Sequence, residues 1–162
     1  MIRYVKGDAT RPEGAGPKMI VHVCNDVGGW GMGFVLAVSR RWKEPEASYR
    51  RQASSGLELG SIQLVQVETD VVVANMVAQA GYGKTHVRHK SDAGYQEDML
   101  PPIRYWALEK CLEQVAAAAG GFSIHLPRIG CGLAGGKWEK VEEILDRTLT
   151  SKGVEVTVYD LP

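Results

Sequence analysis

The chain predicts an α/β fold in which a central mixed sheet carries helices on both faces. Strand-like and helix-like segments alternate with short connections over the second half of its 162 residues. Residues 19–24 form a nearly continuous apolar run, Met19 to Cys24 broken only by His22, which has the character of a strand buried on both faces. Two glycine-rich loops each follow an apolar run: Asn25-Asp26-Val27-Gly28-Gly29-Trp30-Gly31-Met32-Gly33, and Pro127-Arg128-Ile129-Gly130-Cys131-Gly132-Leu133-Ala134-Gly135-Gly136. In such sheets ligands sit outside the carboxyl ends of strands, so the two loops are expected to share one crevice.

Residues 2–5 predict a short strand, and Gly7-Asp8-Ala9-Thr10 then opens a loop rich in Pro and Gly as far as Pro17. The 19–24 strand follows. Residues 34–42 predict a short helix with Phe34, Val35, Val38 and Trp42 at helical spacing, Arg40 and Arg41 facing water, and Pro45 closing it. Residues 46–52 predict a second short helix, and residues 61–67 and 71–77 two strands joined by Glu68-Thr69-Asp70, a candidate hairpin. Residues 80–100 carry Gly81, Gly83 and Gly94 amid mixed charges without clear periodicity, so a long mobile loop is expected.

Pro102 is expected to open a helix through Ala119, since proline is favoured at the first helical position. Ile103, Trp106, Ala107, Leu112 and Val115 would form its buried face. Residues 122–126 predict the strand feeding the second glycine loop. Residues 138–149 predict an amphipathic helix with Val141, Ile144 and Leu145 inward, and residues 154–159 the final strand.

One domain, 1–162, is the simplest organisation, with no linker, internal repeat or low-complexity segment. The hydrophobic fraction of 44% and charged fraction of 23% are ordinary for a soluble protein, and no stretch reaches the apolar length of a membrane span. Met1 leads straight into Ile2-Arg3-Tyr4-Val5 without a targeting core, so the cytoplasm is the expected compartment. Lys plus Arg balance Asp plus Glu at 19 each, which removes the basic field of a non-specific nucleic-acid binder. Cys24, Cys111 and Cys131 form neither an even disulfide set nor a CxxC pair, so a reducing compartment fits and no metal site is expected. No membrane partner or cofactor is expected, and the chain is expected to act as a monomer.

Glycine lets main-chain N–H groups approach an anion without a Cβ in the way, and two such loops make a two-sided clamp. Their glycines match neither the lysine-bearing phosphate loop nor the dinucleotide fingerprint with its later acidic residue, so a nucleoside triphosphatase is disfavoured.

Four landmarks in order resemble the macrodomain family, the modules that bind ADP-ribose and often remove it from modified targets. Val5-Lys6-Gly7-Asp8-Ala9-Thr10 is similar to the family's first strand with its adenine-reading aspartate, and residues 20–25 to the strand entering the catalytic loop. Residues 127–134 are similar to the diphosphate loop, and Val156-Thr157-Val158-Tyr159 to the last strand with its aromatic residue. The resemblance spans nearly the whole chain and implies a three-layer α/β/α macrodomain-like fold. Pro127-Arg128-Ile129-Gly130-Cys131-Gly132-Leu133 followed by Trp138 resembles in particular the branch of the terminal ADP-ribose protein glycohydrolase and the DNA ADP-ribosyl glycohydrolase antitoxins. That glycohydrolase uses a lysine after its central strand and an aspartate after the Gly-Cys-Gly-Leu run. Here Gln79 or its neighbours, and Ala134, stand in those places, so the resemblance does not carry over its lysine/aspartate mechanism.

The resemblance, with the chemistry of each residue, assigns candidate roles. Asp8 is placed to accept a hydrogen bond from the exocyclic adenine amine, against the plainer role of a turn cap, and Ala9 to offer its N–H. Gly130, Cys131, Gly132, Leu133, Ala134 and Gly135 would present main-chain donors to the diphosphate, backed by the helix near Lys137. Gly28, Gly29, Gly31 and Gly33, with Phe34 at a helix start, would close over the second phosphate and distal ribose, walled by Trp30 and Met32. Tyr159 would stack on adenine or ribose, against the plainer role of a core residue. Asn25 and Gln79 are the catalytic candidates, positioning the ribose or a water. His22 and His125 are expected to be satisfied core histidines. Cys131 as a nucleophile is a minor alternative.

The expected function is binding of ADP-ribose and hydrolysis of ADP-ribosyl conjugates, mono-ADP-ribosylated protein through an acidic-residue ester, releasing ADP-ribose. A stand-alone domain has no module to recruit, which favours a hydrolase over a non-catalytic reader. Two further alternatives are a phosphatase or deacetylase acting on free ADP-ribose derivatives, and removal of ADP-ribose from a nucleic-acid conjugate, for which Lys84, Arg88, His89 and Lys90 would form a local basic contact.

Overall fold

The structure is a computed structural model describing residues 1–83, 85–91 and 94–162, with side chains described for 1–83, 100–132 and 134–162. The elements are β1 (Ile2–Lys6), β2 (Lys18–Asn25), α1 (Phe34–Arg41), α2 (Glu44–Ala53), β3 (Ile62–Glu68), β4 (Val71–Gln79), β5 (Thr85–Ser91), β6 (Gly94–Leu100), α3 (Tyr105–Ala118), β7 (Ser123–Leu126), α4 (Trp138–Thr148) and β8 (Val156–Asp160). Six strands form one sheet in the order β1-β8-β7-β2-β4-β3. Neighbours are parallel except β3, which pairs antiparallel with β4 at the edge as the hairpin partner its sequence predicts.

Side-chain alternation along β2 divides the interior into two cores. Met19 and Val21 pack with Ala74 and Met76 of β4 beneath Ala107, Leu108, Leu112, Val141 and Leu145 of α3 and α4. Ile20 and Cys24 face the other way, with Val73, into a second cluster under Val35 and Val38 of α1 and Tyr49 of α2. Each fully buried side chain of this kind contributes roughly 1.5–3 kcal/mol of transfer free energy. Over β7 and β8 that second face is closed by the loop after β1: the Glu13 N–H donates to the Tyr159 hydroxyl at 2.8 Å. No helix among the described residues is long and apolar enough to cross a membrane.

Four local expectations change. Pro45 does not end α1 but sits in the first turn of α2, where its missing N–H has no helical partner to lose. Pro102 does not begin α3, because residues 101–104 run as a strap: Ala80 N–H donates to Pro102 O, Ile103 N–H to Ala134 O and Arg104 N–H to Ala78 O. The helix therefore starts at Tyr105, and its buried stripe runs through Ala107, Leu108, Cys111, Leu112 and Val115. Trp106 lies off that stripe and is exposed rather than buried. Residues 80–100 are not a structureless loop: β5 and β6 pair antiparallel from Thr85↔Leu100 to Ser91↔Gly94. A two-stranded ribbon is held by main-chain bonds and leaves little apolar alternation to read in sequence.

Candidate functional site

Because β1, β8, β7, β2 and β4 are parallel, their carboxyl ends share one edge. That edge gathers Asp8 after β1, Asp160 on β8, the second glycine loop after β7, the first after β2, and Gln79 at the end of β4. β7 and β2 are direct neighbours, paired Lys18↔Ser123 to Ile20↔His125, so the two loops leave the sheet side by side.

Asn25 builds the first loop. Its Oδ1 accepts from the N–H groups of Val27 and Gly29, both at 3.0 Å, and from the Tyr49 hydroxyl at 2.8 Å, while its Nδ2 donates to Gly29 O at 2.8 Å. An amide with those bonds is a scaffold, not a free group awaiting a ribose. The N–H groups of Trp30, Gly31, Gly33 and Phe34, by contrast, carry no hydrogen bond among the described residues, while that of Gly28 faces the Tyr49 oxygen. They form a donor cluster at the unsupported start of α1, which no side chain caps. Trp30 does not wall the crevice: it is buried, its Nε1–H donates to Ser39 Oγ at 2.7 Å, and its ring meets His22 edge-on. Met32 is the exposed one.

The second loop is closed on itself. Gly136 N–H donates to Gly130 O at 2.7 Å, and a Cβ on Gly136 would lie 2.2 Å from that oxygen, so only glycine fits. The turn from Gly132 to Ala134 consumes the Ala134 and Gly135 N–H groups on Cys131 O and Gly132 O. Those two donors drop out of the predicted set. Gly130, Cys131 and Gly132 keep N–H groups without a hydrogen bond among the described residues, and Gly132 is exposed. Leu133 sits mid-turn, with its side chain outside the described residues. Arg128 anchors the loop's root: Nε and Nη2 donate to Asp160 Oδ1 and Oδ2 at 2.6 and 3.0 Å, and its guanidinium lies 5.2 and 5.1 Å from the Tyr4 and Trp138 rings.

At the β1 end, Asp8 Oδ1 accepts from Thr10 N–H at 2.8 Å and Thr10 Oγ1 at 2.7 Å, which is the turn-cap role. Its Oδ2 has no hydrogen bond among the described residues, nor has the buried Ala9 N–H. Tyr159 is a core residue rather than a stacking platform. It is 3% exposed, and its hydroxyl is taken by Glu13 N–H and by His125 Nδ1 at 2.7 Å.

Gln79 pairs in register with Asn25, but its Nε2 donates to Gly81 O at 2.9 Å. Asp26, which sequence reading passed over, holds the same turn through Oδ1, accepting Gly81 N–H at 2.9 Å. Tyr49, from the middle of α2, was equally invisible, since only folding brings it under Asn25. His22 and His125 are core histidines. His22 Nε2 lies 2.6 Å from Asn75 Oδ1, and burial pushes both rings down to about 4, with the nearby Lys18 and Arg3 charges adding to the effect at His125. Burial pushes the Cys131 thiol up, which works against a nucleophile role. Lys84 lies outside the described residues; His86, Arg88, His89 and Lys90 fall on β5, with Arg88 opposite Glu97 and Lys90 opposite Tyr95 in register. Among the described residues no group of three or more His, Cys, Asp or Glu side chains is placed to hold a metal.

The crevice therefore presents neutral main-chain donors, with Arg128 already paired and no other Arg or Lys inside either loop. No protein-family model matches the chain. Two solved structures superpose over nearly all of it. A protein of unknown function from Bacteroides thetaiotaomicron is 50% identical, with TM-score 0.88, covering 99% of this chain and 98% of that one. A macrodomain protein from Streptomyces coelicolor is 47% identical, with TM-score 0.82 and full coverage of both. Among curated relatives, the chromodomain-helicase-DNA-binding protein 1-like of Danio rerio is 31% identical over 163 residues, 98% of this chain. This chain spans only 15% of that protein's length. The ADP-ribose 1''-phosphate phosphatase of Saccharomyces cerevisiae is 23% identical, covering 99% of this chain and 98% of its own.

Proposed function

The chain belongs to the macrodomain family, and we propose that its crevice binds ADP-ribose and hydrolyses ADP-ribosyl conjugates, releasing ADP-ribose. The observation that carries this is the pair of unspent N–H clusters, Gly130 to Gly132 in one loop and Trp30, Gly31, Gly33 and Phe34 in the other, after adjacent parallel strands. A diphosphate lying between them meets donors from both sides and a helix start, without a lysine to hold it. Asp8 Oδ2 and Ala9 N–H, at the far end of the same edge, suit the amine and ring nitrogen of an adenine.

The conjugate we favour is mono-ADP-ribosylated protein linked through an acidic residue. The anomeric ester is an activated bond: water adds its oxygen at C1″, the carboxylate departs with the bonding pair, and the water's second proton passes to a phosphate oxygen of the ligand. Asn25 and Gln79 contribute by holding loops rather than by moving protons. Catalysis then comes from placement and preorganised dipoles. A non-catalytic reader is the second reading, favoured by those two amides being spent and by Ala134 in the aspartate's place.

The test is incubation with glutamate-linked, serine-linked and DNA-linked ADP-ribose and with ADP-ribose 1''-phosphate, following release, beside calorimetry for ADP-ribose. Binding without release sinks the hydrolase; no binding sinks the ADP-ribose reading altogether.

A further inference from the structure

Resting on the ADP-ribose reading of the crevice, we propose that Tyr82 is the specificity-determining wall for whatever is attached to the distal ribose. Asp26 and Gln79 are its positioning residues. Gly29 does not have a positive φ, so its backbone alone does not demand glycine. A Cβ there would lie 2.0 Å from the Tyr82 hydroxyl oxygen and 2.2 and 2.4 Å from two ring carbons. Glycine stands at 29 because a tyrosine rests on it. Tyr82 is nevertheless 64% exposed, and its hydroxyl makes no hydrogen bond among the described residues.

The main chain is pinned on both sides of the contact, at Gly81 before the tyrosine and at Gly29 beneath its ring. Gly81, at φ 68, has its N–H held by Asp26 Oδ1 and its carbonyl held by Gln79 Nε2, each at 2.9 Å. Asp26 N–H in turn donates to Gln79 O at 2.9 Å. Below the ring, Gly29 is gripped at both N–H and C=O by Asn25, itself held by the Tyr49 hydroxyl. Val27 and Met32 of the same loop are exposed as well.

The N–H clusters recognise phosphate oxygens and are blind to what lies beyond the ribose. Tyr82 stands over the loop assigned to the distal ribose, with its hydroxyl end against Gly29 and most of the residue exposed. It offers an attached group a flat apolar face and one neutral hydrogen-bonding site. A phenol in that place reads the shape of the aglycone without demanding a charge from it.

Calorimetry with two probes tests this: free ADP-ribose, and a peptide carrying ADP-ribose through a linkage inert to hydrolysis. The ratio of the two Kd values is the readout. Tyr82→Ala is expected to change that ratio by about fivefold or more while free ADP-ribose stays within about twofold. Gly29→Ala is expected to shift the ratio in the same direction by displacing the ring, and Gly29→Ala with Tyr82→Ala to be no worse than Tyr82→Ala alone. Asp26→Ala should behave like Tyr82→Ala, whereas Asp26→Asn, which keeps an oxygen for Gly81 N–H, should recover most of the ratio. An unchanged ratio in Tyr82→Ala overturns the proposal. An Asp26→Asn protein as impaired as Asp26→Ala overturns the positioning role, because the charge itself would then be acting. Wild-type protein that binds neither probe overturns the ADP-ribose reading instead.

Discussion

Replacing Gly132 by Glu puts a negative charge where the crevice is built to receive one. Gly132 has φ 56 and is exposed, and nothing lies within 4 Å of where its Cβ would be. A side chain therefore has room, and the folding cost is the left-handed backbone alone, about 1–2 kcal/mol. In a chain of this size that lowers Tm by a few degrees. At the site, a carboxylate roughly 5 Å from a bound phosphate charge repels it by about 3 kcal/mol at an effective dielectric near 20. That converts to an affinity loss of roughly a hundredfold. Calorimetric titration of ADP-ribose at several salt concentrations is the assay, with Gly132→Ala and Gly132→Gln as comparisons. Gly132→Ala is expected to bind within a few-fold of wild type, Gly132→Gln to lie between, and the Gly132→Glu deficit to shrink as salt rises. Undiminished affinity in Gly132→Glu, or an equal deficit in Gly132→Gln, would refute electrostatic recognition by this loop.

Asn25→Ala leaves Val27 N–H and Gly29 N–H without their shared acceptor while the Tyr49 hydroxyl keeps the residue 25 main-chain oxygen, 2.7 Å away, so a stability loss of about 2–4 kcal/mol is expected in a denaturant titration. Tyr49→Phe, removing one donor, should cost about 1 kcal/mol, and a loss as large as that of Asn25→Ala would argue against this division. Stability should fall with acid between about pH 6.5 and about pH 4, because His22 and His125 titrate near 4 when folded and nearer their ordinary value of 6.5 when unfolded. The unfolded chain binds protons first in that window, so the contribution is fully present above it and is lost as pH falls; a flat profile there would contradict their burial. Arg128→Lys keeps a charge but loses the two-pronged bond to Asp160 and the contact with both rings, so Tm should drop and ADP-ribose binding weaken by several-fold. Unaltered affinity would show that the loop's root needs no such anchor.

Some of the site was legible because its chemistry is local. A glycine run after an apolar strand carries its meaning in a few adjacent residues, as at Gly130 to Gly132, and so does an aspartate two residues before a threonine at a strand end. Other readings failed where one residue type serves two environments. Tyr159 sits on the last strand as expected, yet the loop after β1 folds over it and takes its hydroxyl, and Trp30 turns inward to Ser39 instead of lining the crevice. Ala134 and Gly135 looked like donors until the tight turn claimed their N–H groups, a matter of hydrogen-bond geometry that composition does not carry.

The elements of the six-stranded sheet, its helices and the two glycine loops were therefore legible in sequence, and the β5–β6 ribbon was not, since apolar periodicity and glycine's lack of a Cβ act over a few residues at a time. Which groups are free to meet a ligand was decided only by tertiary structure. The Asn25 side chain takes the Tyr49 hydroxyl from 24 residues away beside its local bonds to Val27 and Gly29, and the Gly81 main chain next to Tyr82 is bonded across 55 residues to Asp26. A hydrogen bond is local in space but not along the chain, so the inventory of unspent donors exists only once the chain has folded.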